Sequence, residues 1–243
     1  LTYYTSANYF LQESIIRNSD FNRLAFTQKI GYQATDKLKI NTDFQIAYSK
    51  MKTLTEGGTF ANPILAQYFN RPTDPIYNAD GSYYWNSSSR LSNNMYNTVF
   101  LQRNNYSKAN TLRAFANLGV EYKISKNLTY KFVFSPEYIS VEEDAYRSPL
   151  HGDGYTFGGL KDESVNRFFN FNVQNILDYS QKFDLHNVGV TLIQEAYKTD
   201  NKFLTASGIT VGTPTLQTLS NFIVPFGYEG SMSVSSRNGY AAT

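Results

Sequence analysis

Apolar and polar residues alternate along most of this chain, in runs too long for ordinary soluble strands. Between Asn22 and Met51, Leu24, Phe26, Ile30 and Tyr32 fall on one face and Arg23, Thr27, Lys29 and Gln33 on the other. After a tight Thr35-Asp36-Lys37 turn, Leu38, Ile40, Phe44, Ile46 and Tyr48 oppose Lys39, Asn41, Asp43, Gln45 and Ser49. Successive side chains of a strand point to opposite faces, so both arms are apolar on one side and polar on the other. Each arm runs for about 13 residues, against about 5–6 for a soluble strand and about 9–11 for one that crosses a membrane.

The same pattern recurs through the chain. A first strand is expected over Leu1 to Gln12, a polar connection over Glu13 to Asp20, and a long irregular segment from Thr53 to about Asn110. That segment carries Gly57-Gly58, Pro63, Pro72, Pro75 and the turn signal Asn78-Ala79-Asp80-Gly81. Alternation resumes at Thr111, turns at Ser125-Lys126-Asn127 and returns through Leu128, Tyr130, Phe132, Phe134 and Tyr138. Pro136 cannot donate to a ladder, so a bulge or fraying is expected there. A loop over Glu142 to Glu163 leads to a sixth strand carrying Val165, Phe169, Phe171, Val173, Leu177 and Tyr179. A turn at Ser180-Gln181-Lys182 leads to a seventh strand over Phe183 to Tyr197, then a loop over Lys198 to about Met232 and an eighth strand from Ser233.

Short connections follow strands two, four and six, and longer ones follow strands one, three, five and seven. That alternation marks an all-β, antiparallel, up-and-down transmembrane β-barrel with one short-turn rim and one long-loop rim. Tyr32, Tyr122 and Tyr179 each sit on the apolar face a few residues before a tight turn. A tyrosine ring is apolar and its hydroxyl wet, so the three are candidates for an interfacial girdle. Leu24, Phe26, Ile30, Ile40, Phe44 and Ile46 are expected to face lipid. Charge on the apolar faces is expected only at Arg167 and Lys50, near the long-loop rim, where it costs about 0–1 kcal/mol against about 2–4 at mid-bilayer. Gln28, on the same face, does not fit the pattern. A soluble β-sandwich also alternates, but strands this long would give it unusually tall faces.

Composition sharpens this picture in two places. Tyr 20 and Phe 18 bring aromatics to 16%, more than a soluble chain needs. The mean hydropathy of −0.42 looks soluble, yet a barrel whose inner half is polar averages to such a value. No apolar run is long enough for a transmembrane helix. A net charge of +2 gives no electrostatic case for nucleic acid, and the absence of cysteine excludes disulfides and thiolate metal sites.

Catalytic chemistry is sparse, and no cofactor is implied. His151 and His186 are the only histidines, and neither belongs to a metal or nucleophile-relay spacing. Glu142-Glu143-Asp144 with Asp153 could hold a hard cation, although a solvated charged loop is the simpler reading and no metal is assigned. Asn86-Ser87-Ser88 and Asn105-Tyr106-Ser107 match glycosylation acceptors, as chance allows in a chain rich in asparagine and serine. Tyr83, Tyr84 and Trp85 are the candidates for contact with a ligand or a covering partner, since exposed aromatic faces stack on sugars and peptides. The alternative is that they fold their loop onto itself. Phe115, Val133, Phe168 and Ile176 are apolar residues on the polar face, better suited to covering by a plug than to an open pore.

Several phrases, in order, resemble the SusC/RagA-type TonB-dependent transporters of the Gram-negative outer membrane. They are Tyr3-Tyr4-Thr5-Ser6-Ala7-Asn8-Tyr9, Arg23-Leu24-Ala25-Phe26, Ala34-Thr35-Asp36-Lys37-Leu38-Lys39-Ile40 and Ser235-Ser236-Arg237-Asn238-Gly239-Tyr240-Ala241-Ala242. Pro75-Ile76-Tyr77 with Asp80-Gly81-Ser82-Tyr83 resembles a long loop of that family. The resemblance implies that residues 1–243 are part of a barrel of about 22 strands, with the N-terminal plug and remaining strands outside this sequence. It further implies import of oligosaccharides or peptides, a SusD-like surface lipoprotein as lid, and coupling to a TonB complex. The long loops would face outside and the tight turns the periplasm. A passive porin and a soluble adhesin are the rival readings.

Overall fold

The computed structural model describes all residues except 55–57, 59, 86–90, 92–94 and 214. Eight strands form one antiparallel sheet in chain order: β1 (Thr2–Glu13), β2 (Asp20–Gln33), β3 (Leu38–Thr53), β4 (Tyr106–Lys123), β5 (Leu128–Arg147), β6 (Leu160–Phe183), β7 (His186–Val211) and β8 (Phe222–Ala242). Two short helices, α1 (Pro63–Phe69) and α2 (Thr98–Asn104), lie between β3 and β4.

Turn chemistry sets the short rim. Ala34 donates to the Leu38 carbonyl at 2.9 Å, and the Thr35 hydroxyl accepts from Lys37 and Leu38 at 3.2 and 3.1 Å, closing the β2–β3 turn. Ser125 and Asn127 close β4–β5 in the same way. The expected third turn is displaced. Pairing continues to Phe183 opposite His186, so residues 184 and 185 make the turn, with Asp184 left-handed at φ 52. A short polar side chain tolerates that conformation, whereas Ser180, Gln181 and Lys182 remain in the ladder.

The strands lengthen along the chain, from 12 residues in β1 to 26 in β7. Three expected loops are therefore shorter, two of them much so. β5 runs on to Arg147 and β6 begins at Leu160, so Glu142, Glu143 and Asp144 are strand residues and not a loop. β4 begins at Tyr106 and not at Thr111. The expected loop from Lys198 to Met232 is mostly strand, because β7 reaches Val211 and β8 starts at Phe222. Lys198, Asp200 and Lys202 fall on one face there and Thr199 and Asn201 on the other. With both faces polar, strand geometry leaves no hydrophobic period to detect.

Pro136 produces no bulge. Phe115 pairs with Glu137 and Leu118 with Phe134 in a single register, and β4–β5 pairing lapses only between them. On its other side Pro136 pairs directly with Phe171.

Burial is concentrated at the long-loop end. Among the described residues, the buried apolar ones are Ala66, Leu91, Met95, Tyr96, Phe100, Leu101, Tyr146, Leu160 and Phe222, all in the long connections or the strand ends beside them. Phe222 covers Gly208, where a Cβ would stand 2.7 Å from its own, and meets Tyr146 edge-on at 6.3 Å. Along the middle of the sheet the apolar side chains are not enclosed by the described residues. Leu24 remains 58% exposed and Tyr32 48%.

Candidate functional site

Three surfaces carry chemistry: the two faces of the sheet and the loops at its long rim. Cross-strand register decides which side chains share a face. On the apolar face one row reads Leu24, Tyr48, Leu112, Ser140, Arg167, Lys202 and Met232, and the next reads Phe26, Ile46, Ala114, Tyr138, Phe169, Asp200 and Val234. Leu24, Phe26, Ile30, Ile40, Phe44 and Ile46 all lie on this face. Tyr32, Tyr122 and Tyr179 lie there too, near the short rim, at 48%, 44% and 37% exposure. The face is less uniform than the sequence pattern indicated. Charge is not confined to Arg167 and Lys50, since Lys198, Asp200 and Lys202 join it toward the long rim. Gln28 has polar company, because Asn175 and Gln194 also lie on this face. They make a chain in which the Tyr130 hydroxyl donates to Asn175 and Asn175 donates to Gln194, each at 2.5 Å.

The polar face pairs several of its charges locally. Lys29 meets Asp43 at 2.9 Å, Arg113 meets Glu137 at 2.6 Å, and Lys131 meets Asp178 at 2.7 Å. Asp178 also accepts from the Thr191 hydroxyl at 2.9 Å. Beyond these pairs β6 and β7 present an amide strip. Asn172 donates to Glu195 at 2.8 Å, and the Thr199 hydroxyl donates to Asn170. Asn166, Asn172 and Asn201 each keep a buried side-chain carbonyl oxygen with no hydrogen-bond partner among the described residues. Phe115, Val133, Phe168 and Ile176 lie on this face, and Ile176 pairs with Ile193 across the strands.

At the long rim, Asn78-Ala79-Asp80-Gly81 forms the turn expected of it. Gly81 donates to Asn78 at 3.0 Å with φ 83, a left-handed position that suits glycine, and Tyr77 bridges Tyr83 behind it. The Ser82 hydroxyl and backbone N–H both donate to Asp80, at 2.6 and 2.9 Å, and hold its carboxyl below the usual range.

Tyr83, Tyr84 and Trp85 follow, and none of the three is exposed. The Tyr83 ring meets Phe100 edge-on at 5.1 Å, and its hydroxyl accepts from Arg103 at 3.3 Å. The backbone of Tyr84 is held by Ile76 and by the Asn97 amide. Trp85 stacks on His151 at 4.4 Å and 11°, and meets Phe100 edge-on at 5.3 Å. His151 is fully buried, and its Nε2 accepts the Asn97 backbone N–H at 2.7 Å. An acceptor nitrogen there means a neutral imidazole with its proton on Nδ1. Asn97 also caps α2 by accepting from Phe100, and donates to the Ile76 and Tyr84 carbonyls. His151 had no role in any motif; it is the hub that ties the β5–β6 loop to the β3–β4 loop. Only its burial reveals this, and burial of a lone histidine leaves no periodic trace.

The remaining candidates disperse. Asp144 pairs with the buried Lys161, Glu143 accepts from Ser164, and Asp153 accepts from the Gly58 backbone. Among the described residues no group of three or more His, Cys, Asp or Glu could hold a metal ion. Asn105 is buried, and its side chain accepts from Ser148 at 2.8 Å. Asn86-Ser87-Ser88 and Gly57 lie outside the described residues.

Comparison with known proteins bears on this architecture. No family model matches the chain. Two TonB-dependent receptors of Formosa agariphila are 29% identical over 157 residues and 28% identical over 195, covering 61% and 77% of this chain. The RagAB peptide transporter superimposes over 99% of the chain with a TM-score of 0.79 at 16% identity, and the RagAB importer in its open-open state over 98% with 0.74 at 18%. The chain is thus similar in sequence to TonB-dependent receptors and shares the fold of part of the RagAB chains. It spans 14% and 19% of the two receptors' length and 28% of each RagAB chain. The part of each RagAB chain that it matches corresponds here to eight strands in unbroken chain order.

Proposed function

We propose that this stretch is wall and outer-rim structure of an outer-membrane importer that takes up oligosaccharides or peptides under a SusD-like surface lipoprotein. The plug and the TonB-contacting segment would be supplied by other parts of the same protein. The observation that carries this reading is the sheet's asymmetry: apolar side chains stand exposed on one face, while the other carries charged and amide side chains, several of them in ion pairs. Such a sheet is stable with hydrocarbon on one side and a polar interior on the other. From Tyr179 to Phe169 the apolar face rises about 33 Å along β6, or about 25 Å along the membrane normal at a tilt of about 40°. That matches the usual height of a lipid-facing band.

In this reading Leu24, Phe26, Ile30, Ile40, Phe44 and Ile46 contact acyl chains, and Tyr32, Tyr122 and Tyr179 sit at the periplasmic interface. The unpartnered carbonyl oxygens of Asn166, Asn172 and Asn201 face the lumen, where donors of the plug or of a passing substrate would meet them. The loops packed by Trp85, Phe100 and His151 stand outside, where a lid would rest. The chain's part is enclosure and support, with no covalent step.

The test is uptake. A strain lacking the full-length gene should lose growth on one class of oligosaccharide or peptide, and a strain lacking TonB function should lose it equally. Uptake that persists without TonB would mark a passive pore and overturn the proposal. A surface lipoprotein should co-purify with the intact protein in mild detergent.

A further inference from the structure

Beyond Phe169, toward the long rim, the apolar face of β6 and β7 becomes basic. Arg167 and Lys202 are direct cross-strand partners and share this face, while Asp200 lies opposite Phe169 and Lys198 opposite Phe171, successively nearer the short rim. Like charges directly opposite each other destabilise a strand pair. All three cations are exposed, and among the described residues none forms an ion pair. Other cations of the sheet divide. Lys29, Arg113 and Lys131 on the polar face and Lys161 on this one hold carboxylates. Arg23, Lys39 and Arg237 on the polar face form no ion pair among the described residues, but none of these three stands directly opposite another cation. The Arg167–Lys202 pair therefore fits an anion brought from outside the chain.

The surface below the pair narrows the choice of anion. Phe169 and Phe171 pack at 6.2 Å, and Phe171 meets Phe134 at the same distance, making an aromatic shelf just beneath Arg167 and Lys202, with Asp200 and Lys198 at its edge on β7. Met232 lies opposite Lys202 on β8. A free inorganic anion would use only the upper, basic half. A water-soluble acidic protein could not reach a shelf set in the hydrocarbon band. A lipid whose phosphate meets the cations and whose acyl chains lie on the rings uses both halves.

We propose that Arg167 and Lys202, assisted by Lys198, bind the phosphorylated headgroup of an outer-leaflet glycolipid, with its acyl chains on Phe169, Phe171 and Phe134. A guanidinium fork grips two phosphate oxygens, and the neighbouring ammonium adds a point charge beside it. This site rests on the proposed orientation, with the long loops outside.

The test uses the full-length protein, purified from outer membranes in mild detergent, delipidated and titrated with diphosphorylated lipid A by native mass spectrometry. R167Q/K202Q should weaken binding roughly tenfold or more, and the charge-preserving R167K/K202R should keep most of it. K37Q/K126Q, at the short-turn rim, should bind as the unaltered protein does. Dephosphorylated lipid A, phosphatidylglycerol and inorganic phosphate should each bind more weakly. Unchanged binding by R167Q/K202Q overturns the proposal, as does equal binding of dephosphorylated lipid A or of phosphatidylglycerol. Each glutamine replaces an exposed side chain, and the heat-dependent gel shift of a folded barrel reports that folding is intact. Orientation is read separately, by labelling a tag inserted after Asp80 on intact cells. An unlabelled tag refutes the orientation, whereas a labelled tag with unaltered lipid binding refutes the lipid site alone.

Discussion

Phe44 and Phe100 are the same side chain in opposite circumstances. Phe44 lies mid-strand on the apolar face and stays 39% exposed, whereas Phe100 lies in a loop helix and is 3% exposed. In a soluble protein the sheet would bury its phenylalanines and the loops would expose theirs. Here the loops hold the internal core, of Tyr96, Phe100 and Leu101 with Tyr83, Trp85 and Ala61 against it, while the wall leaves its apolar face to the surroundings. On the proposed reading, two solvents act on one chain. Water drives the loop residues together, and lipid removes the need for the wall to pack against anything.

That contrast can be broken from either end. The largest effect is expected from Phe100→Ala, which removes the ring that Tyr83, Trp85 and His151 all touch, at a cost of about 3–5 kcal/mol. Because the loops form a cluster of their own, the cost should stay local. Hydrogen exchange should rise by about a hundredfold or more across residues 96–105 and 148–158 and stay unchanged in β2 and β3. Faster exchange in the strands would show that wall and loops share one core.

Phe44→Arg should cost about 2–4 kcal/mol in vesicles, against roughly nothing for Gln45→Arg one position along, on the polar face. Urea unfolding of the two variants measures the difference directly, and equal costs would mean that the faces do not differ in solvent. Asn97→Ala should follow at about 1–2 kcal/mol, again confined to the loops, because it removes the α2 cap and two further hydrogen bonds. The smallest change is expected from Lys29→Gln. Its ion pair with Asp43 is half exposed, at 53% for the lysine side chain, so the loss should stay below about 1 kcal/mol.

The wall was legible in the sequence because its signal is local and periodic. Leu24 to Tyr48 spells out two strands, two faces and a turn without reference to the rest of the chain. The displaced turn at Asp184 and the long outer half of β7 were not legible, since Lys198, Asp200 and Lys202 make both faces polar and erase the period. The loop cluster was hidden for another reason. Trp85, Asn97, Phe100 and His151 come together across connections that no spacing rule links, so the aromatic run at Tyr83 marked the place without showing its contacts. Asn175 and Gln194 interrupt the apolar face, and only the cross-strand register shows that they answer each other.

The most direct test of the central claim is a scan of accessibility along one strand. This stretch contains no native cysteine. Single cysteines at residues 40 to 48 of β3, spin-labelled in the full-length protein in lipid vesicles, can each be probed with oxygen and with a water-soluble nickel chelate. Positions 40, 44 and 46 should be open to oxygen and shielded from nickel, with positions 41, 43 and 45 less accessible to oxygen, giving a period of two. Equal access of the nickel chelate to both sets would contradict a wall with lipid on one face.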